Sequence, residues 1–144
     1  MKLLDLGLAR FMQDQIGDSQ LTQEGMGMGT PDYMAPEQFR DALHADERTD
    51  IYGLGCTLYH LIAGQVPFPG SSFAEKSHAH AKKEPIPLEE RCPEIPAGLA
   101  HVVAKMMAKH PSERYQSAAE VAEALAPFVA GNSHSLIQLK QTGR

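Results

Sequence analysis

Tryptophan is absent from this 144-residue chain, and 5 Phe and 4 Tyr supply all of its large aromatic rings. A core built from such a sequence draws its mass from aliphatic side chains. Ala and Leu carry most of the 42% hydrophobic content, which predicts a mainly α-helical globular fold. Cysteine is also scarce. Cys56 and Cys92 are widely separated, which is neither a zinc-ligand spacing nor a disulfide framework, so a reducing, cytoplasmic setting is expected. No apolar run approaches the roughly 20 residues of a bilayer-spanning helix. The opening MKLLDLGLAR meets an aspartate too early for a secretory signal. Positive charge is in deficit as well: 13 Lys and Arg against 18 Asp and Glu leave a net charge of −5. That balance gives no support to a nucleic-acid binder, which concentrates basic residues on one face.

The length suits one domain or part of one. In residues 2–9, Leu4, Leu6 and Leu8 alternate with Asp5 and Gly7, the period of a half-buried strand. A lone strand leaves its backbone groups unsatisfied, so its pairing partner is expected outside these residues. From Arg10 to Thr30 the chain is rich in Gln, Gly, Ser, Thr and Met without a helical or strand period, the character of a long functional or disordered loop. The Gly25–Gly29 run follows no strand and opens no helix, so it is read as flexibility and not as a phosphate cradle.

Helical signals fill the remainder. Pro36 is placed for the first turn of a short helix. Ile51, Leu54, Leu58, Leu61 and Ile62 recur at helical spacing, with Thr49 or Asp50 as N-cap and Gly64 just past the end, predicting a buried helix over 50–63. Gly53 and Gly55 inside it each cost about 1 kcal/mol relative to Ala, which is expected only where another group packs closely. Ser72 with Glu75 and Ser117 with Glu120 have capping-box spacing. The run from Pro85 to Pro96 is expected to be extended or turned. Leu99, Val102, Val103, Met106 and Met107 form one amphipathic face stopped by Pro111. Pro127 is expected to end the last helix, leaving 129–144 as a flexible tail. His78 with His80, and Cys56 with His60, lack the further ligands of a zinc site.

Four patterns occur in a fixed order: LLDLGLAR at 3–10, GTPDYMAPEQ at 29–38, TDIYGLGCTLYHLIAGQVPF at 49–68 and KHPSERYQSA at 109–118. Together they resemble the C-terminal half of a bacterial-type serine/threonine protein kinase. The resemblance implies a truncated kinase-like C-terminal lobe over residues 1–128, mainly α with one short N-terminal strand. It also implies ATP and Mg²⁺ as cofactors, and protein substrates or a second kinase molecule as partners.

Asp5-Leu6-Gly7 resembles the family's metal-binding triplet with Leu in the aromatic position. Asp5 is thereby implied as the Mg²⁺ ligand, holding the ion against the β- and γ-phosphates. Thr30 is implied to steady the acceptor hydroxyl beside the catalytic aspartate. Glu37, in Ala35-Pro36-Glu37, and Arg114 match the family's ion pair that pins the end of the activation segment. Asp50 resembles the aspartate that braces the catalytic loop, and read from spacing alone it is a helix N-cap. Thr22, and after it Ser19, fall where an activation loop is phosphorylated, with Glu24 as a resident negative charge.

The family's Gly-rich loop, strand lysine and catalytic loop with its general base have no counterpart among these 144 residues. By resemblance they would precede Lys2. Negligible activity of the isolated chain is therefore expected, with exposure of apolar residues such as Leu4, Leu6 and Met34. Two readings follow: a piece of a complete kinase, or a pseudokinase-like lobe that binds substrates or a partner without catalysis.

Overall fold

The computed structural model describes residues 30–141. The chain divides into two compact units, Met1–Pro31 and Asp32–Arg144, and all the described residues except Thr30 and Pro31 belong to the second. That unit is helical: α1 (Pro36–Arg40), α2 (Glu47–Ala63), α3 (Phe73–Lys82), α4 (Leu88–Arg91), α5 (Ala97–Met106) and α6 (Ala118–Gln141). Single 3-10 turns stand at Pro31–Tyr33, Ala42–His44 and Pro111–Glu113. No strand occurs among the described residues, so the expected mainly α class holds. The strand expected over 2–9 lies outside them.

The central element is α2, and it begins three residues earlier than the apolar pattern predicts. Its N-cap is Asp46, whose carboxylate accepts from the Arg48 N–H at 2.8 Å. Thr49 and Asp50, the sequence-based candidates, both lie inside the first turns. Gly64 closes the helix at φ 79°, a left-handed conformation open to glycine at little cost. The buried stripe is also rotated from the expected one. Ile51 is buried and Leu58 and Ile62 pack at the margin, but Leu54 and Leu61 are 46% and 76% exposed, and Tyr52, Cys56 and Tyr59 fill the interior instead.

Close approach explains the interior glycine at 55. A Cβ there would lie 2.9 Å from both Met106 Cβ and Met107 Cγ, so α5 packs directly on the α2 backbone. Two clusters form around this crossing. One joins Tyr52, Cys56, Tyr59, Phe68, Leu88, Val103 and Met107, and the other joins Ile51, Val102, Met106 and Val121. Met34, expected at an exposed apolar surface, is instead buried.

Both Ser-x-x-Glu signals mark real helix starts. Ser72 Oγ accepts from Glu75 N–H and Ser117 Oγ accepts from Glu120 N–H. The glutamates reach one residue further back than a standard box, to the N–H groups of Ser71 and Gln116. The Pro85–Pro96 run contains the single helical turn α4, because Leu88 is buried and anchors it. Pro127 does not end α6, whose backbone is helical to Gln141. An interior proline costs about 3 kcal/mol, but here Leu125 and Phe128 pack against the second cluster on both sides of it. No helix among the described residues is long and apolar enough to cross a membrane.

Candidate functional site

The segment from Thr30 to Arg40 enters through a 3-10 turn, runs extended at Ala35 and turns into α1 with Pro36 at its start. Ala35 has no capping side chain, and Gln38 Oε1 substitutes by accepting the Ala35 N–H at 2.8 Å. Ala35 is fully buried, so the entry to α1 is fixed from beneath.

Glu37 projects from the first turn of α1 onto Arg114. The guanidinium donates through Nη1 to Oε1 at 2.6 Å and through Nη2 to Oε2 at 2.9 Å, a bidentate pair. Its remaining N–H groups reach three backbone carbonyls: Nε to Ala108 at 2.7 Å, Nη1 to Arg48 at 3.0 Å and Nη2 to Lys109 at 3.2 Å. All five donors of the fork are thereby used, which is what allows an arginine only 2% exposed to remain charged. Thr49 donates its hydroxyl to Glu37 Oε1 at 2.9 Å, and the Tyr52 ring lies 4.8 Å from the guanidinium carbon. Burial acts to raise the Glu37 pKa, but the Arg114 hydrogen bonds, a backbone hydrogen bond, the Arg114 charge and the Thr49 hydroxyl outweigh it. The carboxyl is held below its ordinary value of 4.5.

Further polar contacts fasten the same segment and the helices beneath it. Asp32 Oδ1 pairs with Lys76 Nζ at 2.8 Å, tying the 3-10 turn to α3. Tyr33 Oη lies 2.6 Å from His60 Nδ1, with the two rings stacked, tying the turn to α2. Tyr52 Oη lies 2.7 Å from His80 Nδ1 in the interior, joining α2 to α3. The Tyr52 hydroxyl is pushed up by burial, so it stays neutral. Cys56, one turn on, has its thiol pushed up to about 12, chiefly by burial.

The structure thus brings together Glu37 and Arg114, the two residues that the resemblance pairs across the chain. Thr30 is exposed at the edge of the 3-10 turn, and Asp50 is exposed in the first turn of α2 and is not its N-cap. Asp5, Ser19 and Thr22 lie outside the described residues. Sequence reading missed Asp32, Lys76, His60 and the three carbonyls around Arg114. Neither periodicity nor local spacing carries a signal for contacts so distant along the chain. Among the described residues no group of three or more His, Cys, Asp and Glu side chains converges to hold a metal ion.

The protein kinase domain family matches residues 1–126 of this chain. The chain is 41% identical over 121 residues to serine/threonine-protein kinase PknB of Mycobacterium tuberculosis, a match covering 84% of this chain and 19% of that protein. It is 40% identical over 121 residues to PknB of Mycolicibacterium smegmatis, again covering 84% of this chain and 19% of that protein. To a probable serine/threonine-protein kinase of Corynebacterium efficiens it is 40% identical over 126 residues, covering 85% of this chain and 19% of the relative. The matched part is about a fifth of the length of each of these curated relatives.

Proposed function

The chain belongs to the protein kinase domain family and is homologous to serine/threonine protein kinases, and on that premise we propose that it forms the C-terminal lobe of such an enzyme. Residues 1–128 make up this part of the kinase domain. The lobe presents protein substrates to the site of ATP-dependent phosphoryl transfer in the cytoplasm. The observation that carries the reading is the buried bidentate pair between Glu37 and Arg114, which fastens the segment ending in Ala35-Pro36-Glu37 to the helices beneath.

In this reading Asp5 is the Mg²⁺ ligand, Thr30 steadies the acceptor hydroxyl, and Thr22 or Ser19 is a regulatory phosphorylation site. Asp50 braces the catalytic loop. Asp50, Leu54 and Leu61 share one exposed face of α2, which supports a complete kinase in which further chain covers that face. ATP with Mg²⁺ supplies the transferred phosphoryl group, and this chain's residues position its acceptor.

The test is a chimera in which residues 1–126 replace the matching segment of M. tuberculosis PknB. It is assayed for transfer of labelled γ-phosphate to serine or threonine of a general protein substrate. Transfer is expected, abolished by Asp5→Asn and lowered by Thr30→Ala, whereas the 144-residue chain alone transfers nothing. A chimera that binds nucleotide but transfers no phosphate sinks the reading in favour of a binding lobe without catalysis.

A further inference from the structure

The chain carries a net charge of −5, yet one cleft gathers cations from three elements. It encloses about 210 Å³ between α1 with the turn after it, the C-terminal end of α3, and the loop that leads to α6. Arg40, Lys82 and Lys109 line it, one from each wall.

Two carboxylates also line the cleft, and both are engaged elsewhere. Glu37 is bound by Arg114 and Thr49. Asp41 accepts the Leu43 N–H at 3.0 Å and faces His44 Nδ1 at 2.6 Å. Lys109 has no carboxylate within ion-pair distance among the described residues. Its Nζ lies 3.4 Å from the Ala79 carbonyl and 4.3 Å from the centre of the Phe68 ring. Burial depresses its pKa, and the more distant Glu84 carboxylate opposes that shift without reversing it. Arg40 and Lys82 each end a helix, where the macrodipole favours a cation. That explains either residue alone, but not why both line the same cleft as Lys109.

The wall bearing Lys109 is held in place. Arg114 fixes its backbone, because the Nε and Nη2 groups donate to the carbonyls of Ala108 and Lys109. A cationic cleft fixed before its ligand arrives loses little ordering entropy on binding.

We propose that this cleft binds a phosphoryl group, presented by a phosphorylated serine or threonine side chain of a protein or as free phosphate. A dianion gains from three cations at once and from the two-pronged geometry of the Arg40 guanidinium. A single carboxylate gains less beside two resident carboxylates. The three cations are separate from the residues assigned to phosphoryl transfer, so the site stands or falls independently of the kinase reading.

The test is an NMR titration of the ¹⁵N-labelled full chain with a phosphothreonine peptide, its unphosphorylated twin and inorganic phosphate, at low and at raised salt. Saturable shifts at the amides of Arg40, Lys82 and His110 are expected with the phosphorylated peptide or with phosphate, and none with the unphosphorylated peptide. Arg40→Gln with Lys82→Gln is expected to weaken binding by about tenfold or more, as loss of charge-assisted contacts requires. Tighter binding of the phosphopeptide assigns the site to phosphoproteins, and equal affinity assigns it to free phosphate. Both side chains are exposed, and Lys82→Gln alone repeats the test should the double variant lose its fold. No saturable shift, equal binding of the unphosphorylated peptide, or unchanged affinity in the folded variant overturns the proposal.

Discussion

Arg114 and Glu37 are 77 residues apart in the chain and 2.6 Å apart in space, and the arginine holds three backbone carbonyls in the same grip. The pair therefore joins α1, the start of α2 and the loop before α6 in one network. Its removal strands a carboxylate and three carbonyl groups at once.

Arg114→Ala is expected to destabilise the fold by about 3 kcal/mol, the low end of the range for breaking a buried ion pair, because the Glu37 carboxylate left behind keeps partial access to water. Arg114→Lys keeps the charge but not the five-donor fork, so it recovers only part of the loss. Urea unfolding followed by circular dichroism measures both. A midpoint unchanged in Arg114→Ala would mean that the network contributes nothing to stability.

Acid sensitivity follows from the same pair. The Glu37 carboxyl is held below its ordinary 4.5, so its contribution is present above that pH and is lost as pH falls through the lower folded-state value. Glu37→Gln is expected to lower stability at neutral pH and to flatten the acid limb of the stability profile. Unfolding midpoints measured from pH 7 down to the acid transition decide it, and parallel profiles for the two proteins would exclude a titrating role for Glu37.

Glycines 55 and 64 separate two physical causes. Gly55→Ala places a methyl 2.9 Å from Met106 Cβ and Met107 Cγ, and overpacking of this kind costs about 1–3 kcal/mol. Gly64→Ala meets nothing within 4 Å, and its cost of about 1 kcal/mol comes from φ 79° alone. Thermal unfolding should rank Gly55→Ala as the more damaging, and the reverse order would contradict the close packing of α5 on α2.

The two cysteines should differ in reactivity. Cys56 is fully buried with its thiol pushed up to about 12, whereas Cys92 is partly exposed. A thiol-disulfide reagent at pH 7.5 is expected to label one cysteine in the native chain and both after denaturation. Peptide mapping should place the native label on Cys92, and rapid native labelling of Cys56 would be incompatible with its burial.

What was legible in the sequence divides along physical lines. Helix identity was legible from the Ser-x-x-Glu starts of α3 and α6 and from the apolar spacing of α5. The Glu37–Arg114 partnership was legible only through resemblance, since nothing local to either residue names the other. The face of α2 was misread because Leu54 and Leu61 fit a helical period as well as Tyr52, Cys56 and Tyr59 do, and hydrophobicity alone does not rank two stripes on one helix. Its start was misread because Asp46, Thr49 and Asp50 are all acceptable caps, and Thr49 is instead used to hydrogen-bond Glu37. Pro127 was misread as a terminator because the contacts of Leu125 and Phe128 that carry the helix past it are tertiary.

The crossing of α2 and α5 at Gly55 has a consequence for how the unit opens. Each helix contributes to both apolar clusters: Tyr52 and Val103 to one, Ile51 and Met106 to the other. Neither cluster can come apart while its two helices stay docked, and neither helix can leave without exposing both. The amides at the centre of α2 and α5 are therefore expected to exchange with solvent only through one shared event, at one common free energy, and not through separate partial openings.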